Sequence, residues 1–273
     1  MEGRPFAKMV ASGNDFVVMD NRDDALSHYG ISISEIAKGL CERKRSVGAD
    51  GMLLMEESAK AHFKMRIFNS DGSEVDMCGN GSRCVALYAV ENDIASRYMQ
   101  IETGAGIIDA EVVGLRVKIR LTDPKEIKLN LNLSIGKKRY KIHTINTGVP
   151  HVVSFVKDLD KVKVESIGSR IRHHKTFKPG GTNVNFVKEI SANEIEVRTY
   201  ERGVESETYA CGTGSTASAL ITSLLHGMKS HIDVRTKSKE TLRVYFDKKG
   251  KSIKNVYLEG EAKVVYNGRI DHV

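Results

Sequence analysis

Short apolar runs bounded by Gly, Asp, Asn or Ser recur along the whole chain. Residues 16–20 (FVVMD), 51–55 (GMLLM) and 63–68 (FKMRIF) have the length and residue types of strands. Residues 99–103, 106–113 and 116–121 alternate apolar with polar positions and predict a meander. Residues 183–187, 194–200 and the runs after residue 231 repeat the pattern later in the chain. Helical signals are fewer. Residues 34–43 predict a helix opened by a serine, 79 to about 92 a second, and 212–225 a third, ended by Gly227. The last two begin almost entirely with small residues, so each can lie inside a sheet that curls around it.

The chain repeats itself. Residues 78–87 (CGNGSRCVAL) match residues 211–220 (CGTGSTASAL) at six of ten positions, 133 residues apart. Three further pairs keep the same order: 13–18 with 148–153, 48–51 with 181–184, and 66–69 with 198–201. A duplication follows. The expected fold is α+β, with two pseudosymmetric domains, each a β-sheet or barrel wrapped around a central helix. The expected domains are 1–130 and 131–273, with the C-terminal tail pairing back onto the first.

Composition narrows the class. The 273 residues are 40% hydrophobic and 28% charged, a globular balance, with no tryptophan. No apolar run reaches the ~18 residues of a membrane helix. The opening Met1-Glu2-Gly3-Arg4-Pro5-Phe6 has no apolar segment, so no signal peptide is expected. The four cysteines, at 41, 78, 84 and 211, form no C-x-x-C pair. Free thiols in a reducing cytoplasm are therefore expected. The net charge of +7 is spread along the chain, and its densest clusters, 137–141 and 248–251, fall where hairpin turns are predicted. No nucleic-acid partner is expected.

Cys78 and Cys211 stand immediately before the duplicated helix starts. Free N–H groups and the helix dipole favour negative charge there and lower a thiol pKa from its usual ~8.5. The N–H groups of Gly79, Asn80, Gly212 and Thr213 can also cradle a carboxylate. Two such units would place two thiols about one substrate carbon. One thiolate would remove an α-proton and the other thiol would return one, while the helix starts stabilise the charge that develops. Cys41 and Cys84 fall inside helices and are expected to be core residues. Residues 212–217 also fit G-x-G-x-x-A, with Asp233 some 21 residues beyond Gly212, but a dinucleotide site needs an alternating α/β chain. No Cys/His spacing suits a metal.

These residues resemble the diaminopimelate epimerase family over nearly the whole chain. The motifs are Gly13-Asn-Asp-Phe-Val17, Phe68-Asn-Ser-Asp-Gly-Ser-Glu74, Met77-Cys-Gly-Asn-Gly-Ser-Arg83, Pro150-His151, Tyr200-Glu-Arg-Gly203 and Ala210-Cys-Gly-Thr-Gly214. The resemblance implies cofactor-independent interconversion of LL- and meso-diaminopimelate in lysine biosynthesis. It implies Cys78 as proton donor and Cys211 as acceptor in the LL-to-meso direction. It further implies substrate binding by Asn14, Asn69, Gly79, Asn80, Asn183, Glu201, Arg202, Gly212 and Thr213, with Arg202 on the distal carboxylate and His151 and Glu201 tuning the thiols. No cofactor, metal or membrane is implied, and a homodimer is left open. Val149 stands where many members, and Gly51 where several, carry a side-chain amide, which loosens the expected substrate set. A racemase of another amino acid, such as histidine, and a non-catalytic amino-acid-binding protein are the alternatives.

Overall fold

A computed structural model describes residues 3–270. The chain divides into two compact units, one running through Ile119 and resuming at Gly260, the other spanning Arg120–Glu259.

The first unit begins with β1 (Arg4–Ala11) and β2 (Asn14–Asp20), then α1 (Ile33–Cys41), β3 (Gly51–Glu56), β4 (Phe63–Asn69) and the short β5 (Glu74–Val75). It continues with α2 (Gly79–Glu91), β6 (Tyr98–Thr103), β7 (Gly106–Val113) and β8 (Arg116–Arg120). The second unit holds β9 (Lys125–Ile135), β10 (Lys138–Asn146), β11 (Pro150–Phe155), α3 (Val164–Arg172), β12 (Asn183–Glu189) and β13 (Glu194–Glu201). After these come β14 (Ser206–Thr208), α4 (Gly212–His226), β15 (Ile232–Arg235), β16 (Thr241–Lys249) and β17 (Ser252–Glu261), and β18 (Lys263–Ile270) returns to the first unit.

The two units share one topology. In the first, β1–β2 is antiparallel, β2–β3 parallel across α1, and β3–β4 antiparallel. β4 then pairs antiparallel with β5 and, across α2, parallel with β6, from which the meander continues. The second unit repeats each step with β10–β11, β11–β12 across α3, β12–β13, β13–β14, and β13–β15 across α4. Even the register agrees: Phe16 faces Gly51, and His151 faces Asn183. Each first strand gains a further antiparallel neighbour, β18 on β1 and β9 on β10.

The parallel pairs are covered on both faces, which makes their strands continuously apolar. Phe16–Met19 and Gly51–Met55 are buried at every position. On one face α1 packs Ile36 and Leu40 against Phe6, Met52, Leu54 and Phe68. On the other lies α2, buried at every residue from Asn80 to Ala89 and touching β1, β2, β3, β4, β7 and β18. In the second unit α4 is buried from Gly214 to Ser223. Its hydroxyls are satisfied internally: Thr216, Ser218 and Thr222 each donate to the carbonyl four residues back, at 2.9, 2.7 and 2.7 Å. Cys41 and Cys84 are core residues, 2% and 0% exposed.

Several expectations shift. The unit boundary lies at 119/120, ahead of residue 130. The intervening segment alternates without deep burial until Leu133, but it forms β9 and pairs with β10, which assigns it to the second unit. Helix α1 is capped by Ser32, in a capping box with Glu35, two residues before the expected serine. Helix α3 had no counterpart in the sequence reading. The lysine-rich clusters do mark turns, with Gly136 and Gly250 at positive φ (61° and 62°) between β9–β10 and β16–β17.

Candidate active site

Each cysteine is brought to its helix by the same local device. Arg66 on β4 forks onto Glu74 through Nε and Nη2, both at 2.8 Å. Its repeat partner Arg198 on β13 forks onto Glu207 at 2.6 and 2.8 Å. These bidentate pairs clamp the hairpin that precedes each cysteine. Cys78 and Cys211 then take extended backbone (φ −143° and −125°) as the N-cap residues of α2 and α4. The helices close through Ser82 N–H to Cys78 O and Ser215 N–H to Cys211 O, each at 2.8 Å. The preceding N–H groups, on Gly79 and Asn80 and on Gly212 and Thr213, lie in the first turn, where no intrahelical acceptor exists.

In the first unit, the Cys78 Sγ accepts from Gly81 N–H at 3.5 Å. Asn80, 6% exposed, donates from Nδ2 to Asn14 Oδ1 at 2.7 Å, and Asn14 Nδ2 donates to Asp50 Oδ2 at 2.9 Å. Arg83, fully buried, donates from one Nη2 to Asn80 Oδ1 at 2.5 Å and Ser12 Oγ at 2.7 Å. The structure thus brings Cys78, Gly79, Asn80 and Asn14 together. Asn69 ends β4, and its amide donates to Ser73 Oγ at 3.0 Å within its own turn. Gly51 leaves no room for a side chain, since a Cβ there would lie 2.6 Å from the carbonyl oxygen of Phe68.

In the second unit, Cys211 is 7% exposed. Burial, with the Glu201 carboxylate beside it, pushes its thiol up to about 12, against the opposing Thr213 hydroxyl and Gly214 N–H. This corrects the expectation of a thiol lowered by the helix start: desolvation and a neighbouring negative charge outweigh the dipole. Glu201 is itself held above the ordinary carboxylate range by burial, opposed by its contact with Cys211. Thr213 Oγ1 lies 3.6 Å from Cys211 Sγ. Asn183, 4% exposed, accepts from Arg202 N–H at 2.8 Å. The Arg202 guanidinium donates to Gly180 O at 3.3 Å, and no carboxylate pairs with it among the described residues. His151 is 1% exposed, and burial together with the charge of Arg202 pushes it down to about 3. Cys211, Gly212, Thr213, Glu201, Asn183, Arg202 and His151 therefore belong to one unit.

Sequence reasoning passed over Arg83 and Asn185. Arg83 is the one charge in a helix start of small residues, and Asn185 lies two positions beyond Asn183, on the same strand face. Both signals were present. Asp233, which completed the dinucleotide pattern, is bound by Arg243 Nε at 2.7 Å.

Comparison with known proteins agrees with this construction. The sequence profile of the family described as Diaminopimelate epimerase matches residues 6–124 and again 143–265, one match to each repeat. A diaminopimelate epimerase of Hydrogenobaculum sp. (strain Y04AAS1) is 44% identical over 275 aligned positions, covering 97% of this chain and 98% of that protein. One from Aquifex aeolicus (strain VF5) is also 44% identical, covering 97% of each. Among solved structures, a phenazine biosynthesis protein of the PhzF family from Bacillus anthracis superposes with TM-score 0.74 at 19% identity, covering 99% of both chains. A probable proline racemase from Agrobacterium radiobacter K84 superposes with TM-score 0.69 at 15% identity, covering 98% of this chain and 92% of that one. At these identities the two structures speak for the fold alone.

Two units of one topology, each presenting a cysteine at the start of a buried helix, define an isomerase of the epimerase fold. Within that class, the chain belongs to the diaminopimelate epimerase family.

Proposed function

We propose that the chain interconverts LL- and meso-diaminopimelate, with Cys78 and Cys211 as the two proton-carrying groups acting on one α-carbon. The observation that carries the reading is the duplicated N-cap cysteine, each followed by two first-turn N–H groups suited to a carboxylate. In the LL-to-meso direction Cys211 accepts the α-proton and Cys78 donates one. Cys211 carries its own proton at neutral pH, so it must first give that proton up. Glu201, beside it and with its carboxyl raised by burial, is the group suited to receive it. The reverse reaction exchanges the roles.

Asn14, Asn80 and Asn183 supply amides to the substrate, Asn69 a further one from its turn. Arg202, which no carboxylate pairs among the described residues, suits the second carboxylate that distinguishes diaminopimelate from lysine. No cofactor or metal takes part in this scheme, and the protein works in the cytoplasm on a small molecule, without nucleic acid or membrane, as a monomer or a homodimer. No helix among the described residues is long and apolar enough to cross a membrane.

The test is α-proton exchange in heavy water with LL-diaminopimelate, lysine and histidine offered separately. Diaminopimelate should exchange and epimerise, with lysine and histidine poor substrates beside it. Cys78→Ala and Cys211→Ala should each abolish epimerisation while the circular dichroism spectrum stays that of the parent. Normal turnover by either variant would end the two-thiol scheme, and equal exchange of histidine would move the protein to the amino-acid racemases.

A further inference from the structure

The buried imidazole of His151 is held by an amide whose orientation the surrounding backbone dictates. His151 is the second residue of β11, beside β12, where Asn185 stands fully buried. The Asn185 side chain has three partners. Its Nδ2 lies 2.9 Å from Val152 O and 3.2 Å from His151 Nδ1, and its Oδ1 lies 2.9 Å from the Thr199 hydroxyl. A backbone carbonyl can only accept, so the NH2 end must face Val152. The second amide hydrogen then points at His151 Nδ1, which must offer a lone pair. A neutral imidazole with an accepting Nδ1 carries its proton on Nε2. That Nε2 is buried and has no partner among the described residues.

We propose that Asn185 is a positioning residue that fixes His151 as the Nε2–H tautomer, so that the ring offers the bound amino acid a hydrogen-bond donor and not a base. The inference rests on the epimerase reading for its functional part only. It changes the role that the family resemblance gave His151: with one nitrogen accepting from Asn185 and the other protonated, the ring has no lone pair free to take the Cys211 proton. That task falls to Glu201. Low basicity of the buried ring acts in the same sense.

The test begins with the unmodified protein carrying 15N-histidine. Long-range proton–nitrogen correlation spectra, assigned with His151→Gln, should show His151 with a protonated Nε2 and a bare Nδ1. The pattern should hold from pH ~8 to ~5, across the range in which an ordinary imidazole titrates. A protonated Nδ1, or titration in that range, would overturn the assignment. Asn185→Asp replaces the donor by an acceptor. It should draw the proton to Nδ1 and lower kcat for diaminopimelate about 10- to 100-fold, the usual cost of losing a partner that orients a functional histidine, with KM changed less than about threefold. Should that variant fail to fold, Thr199→Val releases only the Oδ1 anchor and should broaden or mix the tautomer signals. Unchanged tautomer and kcat in a folded Asn185→Asp protein would overturn the positioning role. Nε2–H in a parent protein that never exchanges diaminopimelate would support the tautomer assignment and overturn the epimerase reading instead.

Discussion

Gly81 and Gly214 occupy the same place in the two repeats, three residues after each cysteine, and alanine at the two positions should behave very differently. Both are helical, so alanine brings no backbone strain and gains about 1 kcal/mol of helix propensity. A methyl at 81 would lie 2.8 Å from Leu53 Cδ2, the end of a side chain that can rotate away. A methyl at 214 would lie 2.3 Å from Asn185 Oδ1 and 3.3 Å from Cys211 Sγ. Cβ contacts under 3.0 Å essentially never occur, so the amide must retreat by about 0.7 Å. Its bonds to Thr199 Oγ1 and Val152 O are both 2.9 Å. Stretched by that amount they reach about 3.6 Å and are lost as hydrogen bonds. Each unsatisfied buried group costs about 1–3 kcal/mol. With two at stake and the propensity gain subtracted, Gly214→Ala should lose about 3 kcal/mol. Gly81→Ala should stay within about 1 kcal/mol of the parent. At about 2–4 °C per kcal/mol for a chain of this size, the first variant melts roughly 6–12 °C lower. Urea midpoints and differential scanning calorimetry on the pair give the comparison. Equal shifts, or a Gly214→Ala protein as stable as the parent, would refute the reasoning from the Asn185 network.

Three further outcomes are expected. Arg202→Ala should lower kcat/KM for diaminopimelate by roughly 30- to 5,000-fold, the equivalent of about 2–5 kcal/mol for an unpaired charge, while leaving the poor turnover of lysine unchanged; side-by-side kinetics decide it. Cys211, with its thiol pushed up to about 12 from 9.0, should carry about a thousandfold less thiolate than an ordinary cysteine, so peptide mass spectrometry after iodoacetamide at pH ~8 should find it nearly unlabelled until the protein is denatured. Burial works against ionisation of Asp15, but Arg43 and Lys8, at 2.6 and 2.7 Å, outweigh it and hold the carboxyl down at about 2. A depressed carboxyl stabilises the fold above its unfolded pKa of ~3.9, so about 2 kcal/mol should be lost as pH falls from ~4 toward ~2; urea midpoints across that range should flatten in Asp15→Asn.

The sequence made the duplication and the cysteine-bearing helices legible because both rest on local signals. Small residues that would be anomalous on a surface helix are required on one buried all round, and Gly227 ends α4 at φ 76° as its position promised. What stayed hidden depended on partners distant in sequence. β9 is a plain alternating strand whose placement is decided only by pairing with β10. Helix α3 is short and carries Glu165, Arg170 and Arg172 among few apolar residues, so its buried stripe of Val164, Gly168 and Ile171 gives a weak period. The direction of the Cys211 shift was misjudged for the same reason. The helix dipole is visible in sequence, but the burial and the approach of Glu201 that overcome it come from how β13 and α4 pack.

The departures between the two repeats matter as much as their likeness. Glu201 stands where the first repeat has Asn69, His151 where it has Phe16 and Thr216 where it has Arg83; by strand register, one residue off the sequence match, Asn183 stands where it has Gly51. These pairs lie at equivalent places in the same topology, so the scaffold is common and the side chains alone differ. Asn80, two residues after Cys78, is bonded to the Asn14 amide and to a buried guanidinium; beside Cys211 stands a carboxylate, with a buried imidazole elsewhere in the same unit. The proposed scheme needs the same tool on both faces of one carbon, a thiol with an anion-stabilising helix start, and duplication supplies it twice. The substituents around that carbon are all different, and two identical units could not tell them apart. In the proposed scheme, divergence at these four positions is what lets a repeated proton-transfer unit distinguish its substrate.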